Sequence, residues 1–254
     1  MAHIYAIANQ KGGVGKTTTA VNLAASLAAA ERRTLIVDLD PQANSTSGVG
    51  VDPNALEQTV YHVLLGTAPA QAVRQDTPLS HLHLLPANPD LIGAEVELIS
   101  ALARESKLKT ALKNVAPEYD YILIDCPPSL GLLTINALTA ADAVLIPLQC
   151  EYYAMEGLSQ LINTIRLIQQ ELNPALAIRG ILLTMFDSRN NLSHQVSEEI
   201  RQHFATQVFQ TIIPRNVRLS EAPSHGLPAL LYDISSSGAT AYLDLARELI
   251  RTEH

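Results

Sequence analysis

The 254-residue sequence contains no tryptophan, and aromatic residues make up only 4% of it. Because 47% of the residues are hydrophobic, the core must be built from aliphatic side chains and alanine, and general disorder is excluded. Only two cysteines occur, Cys126 and Cys150. Two are too few for a disulfide framework or for a zinc site with paired cysteines, and they indicate a reducing, cytoplasmic compartment.

Long apolar runs and a strong positive charge are also absent. No uninterrupted apolar stretch reaches the length of about 18 residues that a membrane-spanning helix requires, so none is expected. The first residues lack the features of a signal peptide and lead directly into a predicted strand. The formal net charge of −8 argues against general nucleic-acid binding, although it is compatible with a local basic face.

Short apolar runs alternate with longer amphipathic stretches along the whole sequence. Apolar residues fill nearly every position of most runs, as is typical of strands buried on both faces. The alternation predicts an α/β fold, with a mostly parallel twisted sheet and helices on both faces, in a single domain spanning 1–254. The predicted strands span 4–8, 34–39, 82–85, 121–124, 143–148, 178–185 and 208–213. The predicted helices span 16–30, 94–115, 131–140, 155–171, 192–204 and 237–252.

A glycine-rich segment, residues 9–18, lies between the first predicted strand and the first predicted helix. Its three glycines allow main-chain amides to approach phosphate oxygens closely, and the helix beginning near Lys16 adds the positive end of its dipole. Lys16 can reach the β- and γ-phosphates, and the Thr17 hydroxyl can bind Mg²⁺. The segment departs from the standard P-loop because position 10 is Gln, and from the dinucleotide fingerprint because position 18 is Thr. A simple connecting turn is the alternative.

Two predicted strands end in carboxylates. Asp38 and Asp40 are two residues apart, so they project to the same side of an extended chain. A carboxylate at the end of a buried strand requires a cation, a water or a donor group. Asp125 ends an apolar run in the pattern of a Walker B residue, which holds Mg²⁺, usually through water. One of the first pair, more readily Asp38, could instead cap the next turn.

The segment Lys-Gly-Gly-Val-Gly-Lys-Thr-Thr at 11–18 resembles the deviant Walker A motif of the ParA/MinD family of P-loop ATPases. The resemblance covers nearly the whole chain and implies ATP hydrolysis with ATP and Mg²⁺ as cofactors. It implies that Lys11 reaches across a dimer interface to the partner's nucleotide, that Asp40 orients and polarises the attacking water, and that Asp38 lies near the hydration shell of the metal. The expected catalytic residues are Lys11, Lys16 and Asp40, and the expected metal-site residues are Thr17, Asp38 and Asp125. The expected nucleotide-binding residues are Lys11, Gly12, Gly13, Val14, Gly15, Lys16, Thr17, Thr18, Pro214 and Asn216.

The segment that follows the predicted strand 208–213 is similar to one wall of the adenine pocket in ParA-like proteins. By this resemblance, Pro214 stacks on the base and Asn216 offers its side-chain amide to the base edge. Asp187 is a further candidate for the same pocket. An ordinary proline-containing loop is the alternative.

Charge is distributed unevenly. Residues 179–218 contain five arginines and three acids, a formal charge of +2, whereas the remainder carries −10. Arg189, Arg215 and Arg218 lie in or beside predicted loops and are candidates for contacts to DNA phosphates. From the residues alone, a solvated surface with scattered arginines is an equal alternative. The resemblance favours non-specific DNA binding in the ATP state.

The branches of the family differ in function. The segment 150–158 resembles the ParA/Soj branch, which places Glu151 and Tyr152 near the dimer interface. The last helix looks packed rather than membrane-binding, no iron–sulfur cysteine pattern occurs, and no added N-terminal DNA-binding domain is expected. The resemblance therefore implies chromosome or plasmid partition in the cytoplasm, on the nucleoid, with no membrane expected. A homodimer would bind DNA non-specifically with ATP and be released by hydrolysis that a ParB-type partner stimulates. A positioning ATPase for a protein cargo and a MinD-like membrane-associated division regulator are the alternatives.

Overall fold

A computed structural model describes residues 2–252, which form a single seven-stranded sheet with helices on both faces. The strands are β1 His3–Ile7, β2 Thr34–Asp38, β3 Gln75–Asp76, β4 Leu82–Leu85, β5 Tyr121–Asp125, β6 Ala143–Gln149 and β7 Ala177–Thr184. Their order across the sheet is β3-β4-β2-β5-β1-β6-β7, and every neighbouring pair is parallel except β3 and β4. The predicted α/β class is confirmed.

Two helical layers bury the two faces of the sheet. The helices are α1 Lys16–Ala29, α2 Asn44–Gly48, α3 Val60–Leu65, α4 Ala70–Val73, α5 Leu91–Glu97, α6 Lys107–Leu112, α7 Leu132–Ala140, α8 Ala154–Glu171, α9 Asn191–Phe204, α10 Val217–Glu221, α11 Ala229–Tyr232 and α12 Ser237–Arg251. Ile122 and Ile124 of β5 belong to one core, whereas Tyr121 and Leu123 belong to the other. Because successive strand residues point to opposite faces, a strand covered on both sides is apolar at every position.

The last helix, α12, is packed against α1. Ala239, Leu245 and Leu249 are buried in the core that the two helices share, and the Tyr242 hydroxyl lies 3.1 Å from the Thr19 Oγ1 atom. The apolar face of α12 is thus used inside the molecule, as the sequence predicted. Among residues 2–252, no helix is both long and apolar enough to cross a membrane.

The predicted strand 208–213 is wrong. In this segment Val208 forms an isolated bridge with Ile181 of β7, and just beyond it Pro214 forms another with Phe186. The Glu248 carboxylate of α12 accepts the main-chain amides at positions 210 and 211, at 2.7 and 2.9 Å, so these amides do not join a ladder. A side-chain acceptor from a distant helix replaces the strand partner, and local sequence does not reveal this.

The predicted helix 94–115 is also wrong, because the chain forms α5, two short 3-10 turns and α6 in its place. Ala103 adopts a left-handed conformation, with φ 51°, which a continuous helix does not allow. The buried side chain of Asn136 in α7 donates to the Arg104 carbonyl at 2.8 Å and accepts from the Leu108 amide at 3.1 Å. These bonds supply the main-chain partners that an uninterrupted helix would have supplied.

Strand register brings the functional sequence segments to one edge of the sheet. Asp125 lies opposite Ile7 of β1 on one side and opposite Asp38 of β2 on the other. The carboxyl ends of three adjacent parallel strands therefore meet where the glycine-rich loop begins. In open α/β sheets, this edge is where ligands bind.

Candidate functional site

The loop between β1 and α1 forms the centre of the candidate site. Gly13 and Gly15 have φ values of 75° and 89°, in the left-handed region that favours glycine. Gly15 is the N-cap residue of α1 and offers no side chain to the amides of the first turn. These amides and the helix dipole are therefore directed to an anionic ligand at the head of α1.

Two polar side chains that sequence reasoning missed hold this loop against the sheet. Thr184 at the end of β7 donates its hydroxyl to the Val14 carbonyl at 2.8 Å. Asn9 donates to the Pro147 carbonyl at 2.7 Å and accepts from the Lys11 amide at 3.0 Å. The sequence signal that could have identified both residues is a polar residue at the carboxyl end of an apolar strand.

The two lysines of the loop have different surroundings. Lys16 is 7% exposed, and its Nζ atom donates to the Lys11 carbonyl at 3.2 Å. Burial lowers the pKa of Lys16, against the attraction of Asp125 and Asp40. The Lys11 ammonium instead forms an ion pair with Glu151, just beyond β6, at the surface. Lys16 is therefore positioned for a ligand of its own chain, and Lys11 is not.

Asp125 is fully buried and only partly satisfied. Its Oδ2 atom accepts the Ser45 hydroxyl at 2.8 Å, whereas Oδ1 has no hydrogen-bond partner among the described residues. Burial raises the pKa of Asp125 to about 6, and the Ser45 and Thr17 hydroxyls act in the opposite direction. A buried carboxylate oxygen without a donor is a site for a cation or a metal-bound water.

Asp38 and Asp40 have distinct roles in the structure. Asp38 Oδ2 accepts the amide and the hydroxyl of Thr46, both at 2.8 Å, and Oδ1 accepts the Asp40 amide at 3.1 Å. Burial raises the pKa of Asp38 to about 8. Asp38 thus fixes the chain between β2 and α2, and its place near a metal stays a prediction. Asp40 accepts the Gln42 amide at 2.9 Å and borders the cleft described next.

A cleft of about 440 Å³ opens above the loop. It brings together many of the residues predicted for the nucleotide site, namely Gly12, Gly13, Gly15, Lys16, Thr17, Thr18, Asp40, Pro214 and Asn216. Arg215, which was predicted to contact DNA, also lines this cleft. Sequence reasoning missed further lining residues, among them Asn44, Pro128 and Met185. Met185 has a φ of 48°, which is strained for a residue with a side chain and marks the wall of the cleft as a constrained site.

The residues of the cleft fit a Mg²⁺ ion that is held by few protein ligands. Residues 2–252 contain no cluster of three or more His, Cys, Asp and Glu side chains that could bind a metal. Mg²⁺ at phosphate sites commonly takes one or two protein ligands and completes its shell with phosphate oxygens and water. Thr17 and the unsatisfied Oδ1 atom of Asp125 are suited to that arrangement.

Asn216 caps α10 while it lines the cleft. Its Oδ1 atom accepts the Arg218 amide at 2.9 Å, and its Nδ2 atom donates to the Ser237 hydroxyl at 2.8 Å. A carboxamide has two N–H groups and two lone pairs, so one of each remains for a base edge. The predicted contacts of Pro214 and Asn216 with a base stay predictions.

Two of the three candidate DNA-binding arginines, Arg189 and Arg218, are paired with acids. Arg189 bonds both oxygens of Asp187 at 3.0 Å, which lowers the pKa of Asp187 to about 2. Arg218 pairs with Glu221 at 2.7 Å and with Asp233 at 3.3 Å. Since exposed ion pairs are weak and are screened by salt, phosphate groups can compete for these arginines. DNA binding by this face stays a prediction.

Both cysteines are buried. Burial raises the pKa of the Cys126 thiol and raises the pKa of Cys150 to about 11. A thiol with a raised pKa holds little thiolate at neutral pH. Cys126 belongs to the hydrophobic core.

Comparisons with known proteins agree with this geometry. A family model described as an AAA domain matches residues 2–178. The chain is 61% identical over 253 residues to the chromosome partitioning protein ParA of Myxococcus xanthus, covering 100% of this chain and 89% of the relative. It is 58% identical over 249 residues to the sporulation initiation inhibitor protein Soj of Bacillus subtilis, covering 98% of each.

Solved structures share the fold over its full length. A structure of cobyrinic acid a,c-diamide synthase from Mycobacterium smegmatis with bound ADP and magnesium superposes with a TM-score of 0.88. It is 42% identical and covers 100% of this chain and 96% of that one. The identity to the ParA and Soj relatives is higher and also extends over nearly the whole chain. The chain belongs to the ParA/Soj family of P-loop ATPases.

Proposed function

We propose that this protein is an ATP-driven switch for chromosome or plasmid partition. It binds ATP and Mg²⁺, forms a homodimer, binds DNA without sequence preference and leaves DNA after hydrolysis that a ParB-type partner stimulates. The observation that carries the proposal is the separation of the two loop lysines. Lys16 faces the cleft of its own chain, whereas Lys11 is held at the rim by Glu151.

The cleft supports ATP binding through main-chain and side-chain groups. The amides at the start of α1 and Lys16 receive the phosphates, and Thr17 with Asp125 holds Mg²⁺, which neutralises phosphate charge. Asp40 lines the same cleft and orients the attacking water. The Mycobacterium smegmatis structure, which contains ADP and magnesium, supports this assignment.

The surface beside Lys11 supports dimerisation. Tyr152 and Tyr153, which follow Glu151, are 77% and 66% exposed, and their rings contact each other edge to face. Large exposed aromatic side chains are typical of surfaces that become buried in an interface. A second copy would cover them and would receive Lys11 at its own nucleotide. The dimer is therefore expected to form only with ATP.

The DNA-bound state requires the basic face of the dimer. Arg189, Arg215 and Arg218 of two copies would contact phosphates on one surface, and Arg189 and Arg218 would exchange their carboxylate partners for DNA phosphates. The names of the relatives, chromosome partitioning protein ParA among them, support DNA as the cargo. The protein would then reside in the cytoplasm, on the nucleoid.

Sedimentation with and without ATP tests the switch. Asp40→Ala, which keeps the ATP-binding groups, is expected to bind ATP, to hydrolyse it at least about 100-fold more slowly and to accumulate as a dimer. Combining it with Lys11→Ala is expected to preserve ATP binding and abolish the dimer. A stable dimer of the double variant would contradict the role of Lys11 in the partner's site.

A further inference from the structure

The carboxyl end of β7 is bonded to two separate walls of the cleft within three residues. Thr184, the last residue of β7, donates its hydroxyl to the Val14 carbonyl of the glycine-rich loop at 2.8 Å. Phe186 donates its amide to the carbonyl at position 213 and accepts the amide at position 215, both at 3.0 Å. These positions belong to the base wall, which is defined here as residues 213–216. One short stretch of chain therefore holds both the glycine-rich loop and the base wall.

Met185 lies between these two attachments in a strained conformation. Its φ is 48° although it carries a side chain, and it lines the cleft. Such a conformation persists only where the surrounding structure fixes the chain on both sides. Thr184 fixes one side through the glycine-rich loop, and Phe186 fixes the other through the base wall. A displacement of either wall is therefore transmitted to the other through the end of β7.

The Thr184 hydroxyl also determines which way one peptide group of the loop faces. A trans peptide places its carbonyl and its amide on opposite sides, and none of the described peptide bonds is cis. Because the Val14 carbonyl is directed to Thr184, the Gly15 amide is directed away from it. Among residues 2–252 this amide donates to no acceptor, and Gly15 lines the cleft. The bond from Thr184 thus leaves a donor available to an anionic ligand before the ligand binds.

We propose that Thr184 is a positioning residue that orients the glycine-rich loop for phosphate groups and couples this loop to the base wall. It acts through the Val14 carbonyl rather than by contact with the nucleotide. Phosphate groups bound in the loop then restrain the base wall, and by linkage a bound base restrains the loop. The proposal rests on ATP binding by the cleft, the first step of the proposed function, and is independent of dimerisation and DNA binding.

Competition of ADP and AMP against a fluorescent ADP analogue tests the orientation of the loop. Thr184→Val removes the hydroxyl and keeps the shape of the side chain, and it is expected to bind ADP about tenfold more weakly. AMP has no β-phosphate, so its affinity should change less and the ratio of ADP affinity to AMP affinity should fall. Thr184→Ser keeps a hydroxyl and is expected to restore the wild-type ratio. Equal weakening for both nucleotides would overturn the orienting role.

Thr34→Val is the matched control for the loss of a buried hydroxyl. Thr34 of β2 is also buried and donates its hydroxyl to a main-chain carbonyl, that of Arg32, at 2.9 Å. It begins β2, at the opposite edge of the sheet from the cleft. This variant is expected to keep the wild-type ratio of ADP affinity to AMP affinity. A fall as large as that in Thr184→Val would show a general effect of the lost hydroxyl and would overturn the proposal.

Hydrogen–deuterium exchange with saturating magnesium pyrophosphate, which has phosphate groups and no base, tests the coupling. Exchange at the base wall is expected to slow in wild type and in Thr184→Ser, and to stay unchanged in Thr184→Val. The same slowing in Thr184→Val, or unchanged exchange in wild type, would overturn the coupling. ADP binding is measured on the same samples. If wild type binds ADP, either of these results removes only the role of Thr184, whereas absence of ADP binding would overturn the nucleotide cleft as well.

Discussion

At the residue scale, the ion pair between Lys11 and Glu151 separates two lysines that lie five positions apart in one loop. Both partners are partly exposed, at 41% and 44% of their side chains, so water and salt weaken their attraction. Lys16 is buried and has a lowered pKa. One lysine is therefore built into the cleft, and the other is held by an ion pair that is readily exchanged.

The substitution Lys16→Ala is expected to reduce ATP affinity at least about 100-fold, because it removes a buried charge that faces the phosphates. Fluorescence titration with a labelled ATP analogue measures the dissociation constant. Lys11→Ala is the control and is expected to bind ATP with an unchanged constant in the monomer. An unaltered constant for Lys16→Ala would disprove the assignment of the loop.

The substitution Glu151→Gln is expected to release Lys11 and to favour the ATP-bound dimer. Since an exposed ion pair contributes about 0–1 kcal/mol, the dimer dissociation constant should decrease by no more than about fivefold. Sedimentation equilibrium with ATP in the Asp40→Ala background measures it. Weaker dimerisation would show that Glu151 supports the interface rather than restraining Lys11.

The residues of the loop could be predicted from the sequence because the motif is contiguous. Thr184, Asn9 and Ser45 could not, since each reaches its partner across the fold. Asp38 was correctly placed at the end of a strand, yet its bonds to Thr46 depend on how α2 returns to β2. A contiguous motif predicts the residues that bind a ligand. The side chains that hold those residues in place depend on tertiary contacts and are not predicted.

At the scale of elements, strand runs were predicted well wherever both faces of the strand are buried, as in β5 and β6. The segments 208–213 and 94–115 were predicted wrongly because distant side chains, Glu248 and Asn136, bond their main-chain groups. The two-residue strand β3 carries no periodic signal at all. Side-chain partners from other elements override local pattern in these places.

Strand β4, next to the edge strand β3, contains a histidine that gives a pH-dependent contribution to stability. His83 of β4 lies 2.9 Å from the Tyr119 hydroxyl and 3.5 Å from Asp76 of β3. Burial and the charge of Arg74 lower the pKa of His83 and outweigh the attraction of Asp76. The folded state therefore prefers neutral histidine, and its stabilisation is present above pH about 6.5 and is lost as pH falls.

Urea unfolding at pH 7.5 and pH 5.0 is expected to show this effect. The wild-type midpoint should fall more between the two pH values than that of His83→Gln, which cannot titrate. Both proteins share all other titrating groups, so the difference between their two midpoint changes isolates the contribution of His83. Equal midpoint changes in the two proteins would exclude a contribution from His83.

At the scale of the whole molecule, two layers of helices cover a sheet whose carboxyl edge carries the cleft. The order of the strands places β1 between β5 and β6, so the loop after β1 has Asp125 on one side and Glu151 on the other. The same arrangement places Lys11, Glu151 and the cleft on one face of the molecule. A second copy facing this edge would close both.

Charge reversal on the basic face is expected to affect DNA binding alone. Arg189→Glu places a second acid beside Asp187 and should weaken DNA binding. The slope of its salt dependence should fall by about 1 for each phosphate that is no longer neutralised. Arg247→Glu is the matched control, since Arg247 on α12 is also exposed and ion-paired, with Asp244 at 2.7 Å. Equal weakening in the two variants would indicate a general charge effect rather than a DNA face.

DNA binding by Asp40→Ala shows whether ATP converts this chain into a DNA-binding dimer. Affinity for random duplex DNA is measured with ATP, with ADP and without nucleotide, each at about 50 mM and about 200 mM salt. Binding should occur only with ATP and should weaken steeply at the higher salt concentration. Binding of equal strength in all three nucleotide states, or no binding in any, would show that ATP does not control DNA binding by this protein.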